Sequence, residues 1–126
     1  MLTNHNSTKD MQNNQKTNKF FKKRLYLITN KTKTTNKTTI NMQQVTVVDV
    51  RTPEEFMGGN VANSINIPLN EVVARAEEIK ALPQPIVFCC ASGNRSGQAT
   101  AYFKSIGVDC ENGGSWFDVN YMLNNN

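Results

Sequence analysis

Ile86-Val87-Phe88-Cys89-Cys90 offers no polar side chain at either set of alternate positions. A strand built from it has two apolar faces and must be covered on both, as an inner strand of a parallel sheet sandwiched between helices is. The surrounding chain supplies the neighbours that such a sheet needs. Val45, Val47, Val48 and Val50 form a β-branched run that reads as a buried strand ending at Asp49 or Val50. Thr52-Pro53-Glu54-Glu55 combines a capping hydroxyl, a proline at the first helical position and acids where the helix dipole favours them. A short helix is expected there, ending at Gly58 and Gly59. Ser64 to Ile67 reads as a second short strand closed by Pro68. Asn70 is then expected to cap a helix carrying Val72, Val73, Ala76 and Ile79 at helical spacing, which Pro83 and Pro85 terminate.

After the apolar strand, a helix is expected from Arg95 or Ser96 to Ile106, with Ala99, Tyr102, Phe103 and Ile106 on one side and Gly107 in the left-handed position past its end. Val108 to Glu111 reads as another strand. Gly113-Gly114 then leads into a last helix containing Trp116, Phe117, Tyr121 and Leu123. Strand and helix alternate, so the expected fold class is α/β: a small parallel sheet of about four to five strands flanked by helices on both faces.

This patterning covers only part of the chain. Residues 1–41 hold nine Lys or Arg against one acid, Asp10, whereas residues 42–126 hold five basic and nine acidic residues, so the first segment sets the sign of the overall +4 charge. Lys, Asn and Thr fill 25 of those first 41 positions, leaving too little apolar surface to offset the entropy of ordering the backbone. Residues 1–41 are expected to be a disordered basic extension, with Met42 a candidate natural start, and residues 42–126 a single small domain. The extension lacks Arg enrichment and helical periodicity, so neither a nucleic-acid nor a membrane partner is expected, and the domain is expected to be a monomer. Apolar stretches are far short of a bilayer span. Cys89, Cys90 and Cys110 are too few and too irregularly placed for a disulfide framework or a zinc site, which suits a reducing, cytoplasmic location.

The single histidine, His5, lies in the extension, so the domain has no imidazole to serve as base or ligand. No metal or cofactor is expected. The chemistry concentrates in Cys90-Ala91-Ser92-Gly93-Asn94-Arg95-Ser96, which leaves the carboxyl end of the apolar strand, where open α/β sheets bind ligands. A cysteine entering a tight loop that opens a helix meets unpaired N–H groups and the positive end of a dipole. In such settings thiol pKa values fall to about 3.5–7.5. Gly93 lets the backbone fold round the sulfur, and Arg95 adds a positive charge for an incoming anion. Cys90 is therefore expected to be a nucleophile whose sulfur faces several N–H groups of residues 91–96 and stays within reach of solutes. Cys89 points to the other face and reads as core. Cys110 also reads as core, with a resolving-thiol role left open. Asp49, Arg51 and Glu55 read as a buried ion-pair network that orients the loop after the first strand, in preference to an acid/base group. Trp116 and Phe117 are expected to pack into the core.

Several ordered motifs now stand together: Asp49-Val50-Arg51-Thr52-Pro53-Glu54-Glu55-Phe56, Asn66-Ile67-Pro68-Leu69, Cys90 to Ser96, and Gly113-Gly114 with Trp116. From about Val45 to Val119 the chain resembles a single-domain rhodanese, or rhodanese-like sulfurtransferase. The resemblance implies a persulfide-forming cysteine at Cys90 and a substrate cradle made by residues 91–96. It also implies a ping-pong reaction in which Cys90 takes the outer sulfur of a donor such as thiosulfate and passes it to cyanide, a thiol or a protein cysteine. Several departures from the family pattern stand beside these matches. Gly59-Asn60-Val61 stands where the family commonly has Gly-His-Ile, Asn63 replaces a following glycine, and the helix and strand that usually precede the Asp-Val-Arg strand give way to the basic extension. Asparagine tolerates positive φ better than other non-glycine residues, so the turn at Asn63 is expected to survive.

Three rival readings remain. A cysteine-based phosphatase is suggested by the five residues between Cys89 and Arg95, although only four separate Cys90 from Arg95. A non-catalytic rhodanese-like module would be favoured had the cysteine been replaced. A persulfide carrier serving one protein partner would keep Cys90 but turn thiosulfate over slowly.

Overall fold

The computed structural model describes residues 45–125. The basic extension, the boundary at Met42 and the expected lack of a leading helix and strand lie outside the described residues. Within them, β1 (Thr46–Asp49), α1 (Pro53–Met57), β2 (Ile65–Asn66), α2 (Ala76–Lys80), β3 (Ile86–Cys90), α3 (Asn94–Ser105), β4 (Cys110–Ser115) and α4 (Trp116–Asn124) follow one another. The strands form one sheet in the order β2-β1-β3-β4, with every neighbouring pair parallel.

Alternation along the strands divides the core between two faces. Val48, Phe88, Cys90 and Cys110 pack with Ile79 of α2 and with Ala99 and Phe103 of α3. Val47, Val87 and Cys89 pack on the other side with Val119 and Met122 of α4. Every residue of β3 is buried, which is why its sequence carries no polar position. Thr52 and Glu55 close a reciprocal capping box at the start of α1, as the Thr-Pro-Glu-Glu pattern predicts. Asn63 adopts φ 67°, so the turn before β2 does use the asparagine's tolerance of that region.

Three expectations need correction. Asn70 caps nothing: Leu69–Glu71 is a 3-10 turn entered from Pro68 with no side-chain cap, and regular helix begins only at Ala76. The β-branched pair Val72-Val73 is a poor helix former, and Leu69 N–H is committed to the Val50 carbonyl at 3.0 Å, so the chain turns before it winds. Val73 consequently stands 60% exposed instead of lying on a buried stripe. The last strand begins at Cys110 and continues through the glycine pair, which reads from sequence as a break. Phe117, expected in the core, is 69% exposed and stacks on Trp116 with ring centroids 4.3 Å apart.

The glycine pair stays in the strand because the strand is bulged there. Phe88 pairs with Asn112 and Cys89 with Gly114, leaving Gly113 as the extra residue. A Cβ built on Gly113 would lie 2.6 Å from Val119 Cγ2 and 2.7 Å from Val87 Cγ1, both on stiff, buried side chains. Gly113→Ala is thus expected to destabilise the domain by about 2 kcal/mol through overpacking. Thermal unfolding should place its midpoint about 10 °C below that of the parent; an unchanged midpoint would show that the valines yield freely.

Candidate active site

β3 delivers Cys90 to the carboxyl edge of the sheet, and the chain then folds back over it. Gly93 takes φ 106°, a left-handed conformation that side chains resist, and becomes the residue from which α3 starts. α3 begins at Asn94, slightly earlier than its apolar spacing suggests. The reversal aims the Gly93 N–H at Cys90 Sγ at 3.0 Å and the Ser96 N–H at the same atom at 3.4 Å. The Ser96 hydroxyl lies 3.4 Å from the sulfur on the same side. Burial by itself raises the Cys90 thiol, but the Ser96 hydroxyl and the N–H groups of Ser96, Gly93 and Ser92 outweigh it, and the net shift is downward. Cys89 differs in the direction of its shift and in the face it occupies. Burial pushes its thiol up, the nearby Asp49 charge adds to the rise, and it packs on the opposite face.

One part of the expected picture is reversed. Cys90 is 0% exposed: the amide cradle closes directly on the sulfur and leaves it sealed from solvent. The covering loop is itself open to water at Ala91, Ser92 and Asn94, while Gly93 and Ser96 are buried beneath.

Two ion pairs brace this edge, and they do not form the single Asp49-Arg51-Glu55 network expected. Asp49, 0% exposed, accepts Arg51 Nε at 3.0 Å and Nη2 at 2.8 Å, together with the Arg51 backbone N–H at 3.0 Å. The Arg51 guanidinium also donates to the Gly59 carbonyl at 2.7 Å and sits over the Trp116 ring at 4.9 Å. It thereby ties the end of β1 to the exit of α1 and the start of α4. Glu55 gives Arg51 only its backbone carbonyl, at 3.3 Å. Its carboxylate instead takes Arg95 bidentately, at 2.8 and 3.1 Å. Hydrogen bonds from the Arg95 guanidinium and the Thr52 backbone pull the Glu55 carboxyl down to about 2, so the pair is charged throughout the ordinary pH range. Arg95, expected to await an anion, already has one within the protein. Asn66 completes the brace, donating from Nδ2 to the carbonyls of Asp49 at 3.0 Å and Arg51 at 2.9 Å.

A family model described as the rhodanese-like domain matches residues 32–117. The chain belongs to that family. The rhodanese-like domain is 35% identical over 74 residues to thiosulfate sulfurtransferase PspE of Escherichia coli, an alignment covering 57% of this chain and 71% of that protein. It is 36% identical over 61 residues to the protein YqhL of Bacillus subtilis, covering 48% of each, so this chain spans about half the length of that relative. Among solved structures, a rhodanese with anions from E. coli superposes with a TM-score of 0.53 at 35% identity, over 59% of this chain and 89% of that one. Among the described residues no helix is long and apolar enough to cross a membrane.

The rhodanese-like domain brings Gly93 and Ser96 onto Cys90, turns Arg95 to Glu55, and leaves the side chains of Ala91, Ser92 and Asn94 on the outer surface of the loop, with the Ser92 N–H still acting on the sulfur. One residue of the site was not singled out from sequence. Asn112 of β4 is buried behind the loop, donates from Nδ2 to the Gly93 carbonyl at 3.0 Å, and accepts at Oδ1 from the Ser96 hydroxyl at 2.7 Å and the Gly114 N–H at 3.0 Å. Its place directly before the glycine pair is the one local mark that it carries.

Proposed function

We propose that the domain is a sulfurtransferase that moves a sulfane sulfur from a donor such as thiosulfate to cyanide, a thiol or a protein cysteine through a persulfide on Cys90. The observation that carries this reading is the convergence of the Gly93 and Ser96 N–H groups on one sulfur whose thiol is shifted downward. In the first half-reaction the Cys90 thiolate attacks the outer sulfur of thiosulfate. The S–S bond of the donor breaks, its electron pair leaves with sulfite, and the charge moves to the outer sulfur of the new persulfide. In the second, the acceptor attacks that outer sulfur and the bonding pair returns to Cys90. Fixed amide dipoles favour the anionic sulfur without a proton having to move.

Because Cys90 is sealed, the loop must lift at its exposed residues Ala91, Ser92 and Asn94 before a donor can reach the sulfur. That requirement also supports the second reading, a carrier loaded by one protein partner that opens the loop. Phosphoryl transfer is not favoured: the five-residue spacing to Arg95 is counted from Cys89, whose thiol is raised and turned away. Mass spectrometry after thiosulfate treatment should find one added sulfur, about 32 Da, on the peptide containing Cys90, reversed by cyanide. Sulfite should appear in equal amount. Phosphate release from a generic ester without sulfite would overturn the assignment. Uptake from a protein persulfide but not from thiosulfate would favour the carrier. We further propose a monomer that acts without a cofactor in a reducing, cytoplasmic setting, the last of which three free thiols at Cys89, Cys90 and Cys110 would suit.

A further inference from the structure

The Ser96 hydroxyl has one proton and two neighbours that can accept it. Cys90 Sγ lies at 3.4 Å and Asn112 Oδ1 at 2.7 Å. While Cys90 is a neutral thiol there is no conflict: S–H donates to Ser96 Oγ, and Oγ–H donates to Asn112. Once the sulfur is a thiolate it needs the hydroxyl's hydrogen bond itself. Asn112 can release it, because its Oδ1 keeps the Gly114 N–H at 3.0 Å and is not left unpaired. We propose that Asn112 is a positioning residue for sulfur transfer, holding the Ser96 hydroxyl beside Cys90 and giving up that hydroxyl's hydrogen bond to the sulfur only when negative charge is localised there.

This inference rests on the persulfide reading and deepens it. In the persulfide the charge lies on the outer sulfur, so the hydroxyl turns back to Asn112. When the acceptor attacks the outer sulfur, the S–S bond breaks, its electron pair returns to Cys90 Sγ, and the hydroxyl turns to meet it. The proton never leaves the Ser96 oxygen. The new hydrogen bond forms as the leaving thiolate forms, so it favours the transition state of sulfur release over the loaded state. The charged groups at this edge of the sheet are the Asp49–Arg51 pair at the end of β1 and the Glu55–Arg95 pair between α1 and α3, each charge already paired with its opposite. Neither supplies a hydrogen bond to the sulfur among the described residues.

The test is the pH dependence of Cys90 alkylation by iodoacetamide, read by peptide mass spectrometry, in Asn112→Ala and Asn112→Asp. Both variants lose the donor to the Gly93 carbonyl, so their difference reports the acceptor and the charge at position 112, which a Ser96→Ala background separates. Alanine frees the hydroxyl for the sulfur and should move the midpoint down. Aspartate holds the proton more strongly and adds negative charge, and should move it up by about one pH unit. Shifts of both variants in the same direction by the same amount would overturn the proposal and leave Asn112 a brace for the loop alone. Should Asn112→Ala not fold, Asn112→Asp in a Ser96→Ala background decides. Its upward shift should shrink by about half without a hydroxyl to hold, and an undiminished shift would overturn the idea. Alkylation needs no sulfur donor. A domain that takes no sulfur from thiosulfate would thus defeat the proposed function while these midpoints are still read.

Discussion

Cys90→Ser is expected to lower sulfite release from thiosulfate by at least about a thousandfold, because the nucleophile of the first half-reaction, which is also the leaving group of the second, is gone while the amide cradle remains. A serine hydroxyl does not ionise near neutral pH, and the N–H groups of Gly93 and Ser96, so effective on a sulfur anion, cannot make up the difference. The neighbouring substitution is the control. Cys89→Ser places a hydroxyl among Val47, Val87 and Val119 and should destabilise the domain by about 1–3 kcal/mol, yet leave turnover per folded molecule close to the parent's. Sulfite production and circular dichroism measured on both variants separate catalysis from folding. Activity surviving in Cys90→Ser, or vanishing in a folded Cys89→Ser, would exchange the roles of the two cysteines.

The largest loss of stability is expected from Asp49→Ala. Its carboxylate is wholly buried, and without it the Arg51 guanidinium, 4% exposed, keeps its charge with only the carbonyls of Gly59 and Glu55 and the face of the Trp116 ring for partners. Breaking one side of a buried pair costs about 3–5 kcal/mol, against roughly 0–1 for an exposed pair. For a domain whose total stability is on the order of 5–15 kcal/mol, that moves a sizeable share of the population toward unfolding. Urea denaturation should show a midpoint far below the parent's with an unchanged slope. A loss under about 1 kcal/mol would mean that water reaches Arg51 despite its burial, and the brace between β1, α1 and Trp116 would have to be discounted.

Much of this architecture can be read from residue types because each rule acts locally. β3 is legible since a strand covered on both sides cannot afford a polar side chain, and its observed limits, Ile86–Cys90, match the apolar run. α1 is legible because Thr52, Pro53 and Glu55 are cap chemistry, which operates over one turn. The errors arise where distant contacts decide. Nothing near Asn70 signals that Leu69 is tied to the Val50 carbonyl, and nothing near Gly113 signals a bulge packed against Val87 and Val119. At the site, Cys90 and Gly93 carry a local signature. Arg95's partner is 40 residues away, and Asn112 reaches the loop from another strand, so neither contact leaves a mark in the spacing. Cradle closure over Cys90 likewise depends on how the whole loop seats.

The placement of the three thiols has a consequence for a loaded domain. Cys89 is turned through the sheet away from Cys90, and Cys110 pairs with Ile86 at the far end of β3, roughly 13 Å along the strand from Cys90. No second thiol within the described fold can therefore reach across to strip the cargo. If Cys90 carries a sulfur as proposed, self-discharge to Cys89 or Cys110 is foreclosed by geometry, and the dwell time of that atom would be governed by encounters with other molecules.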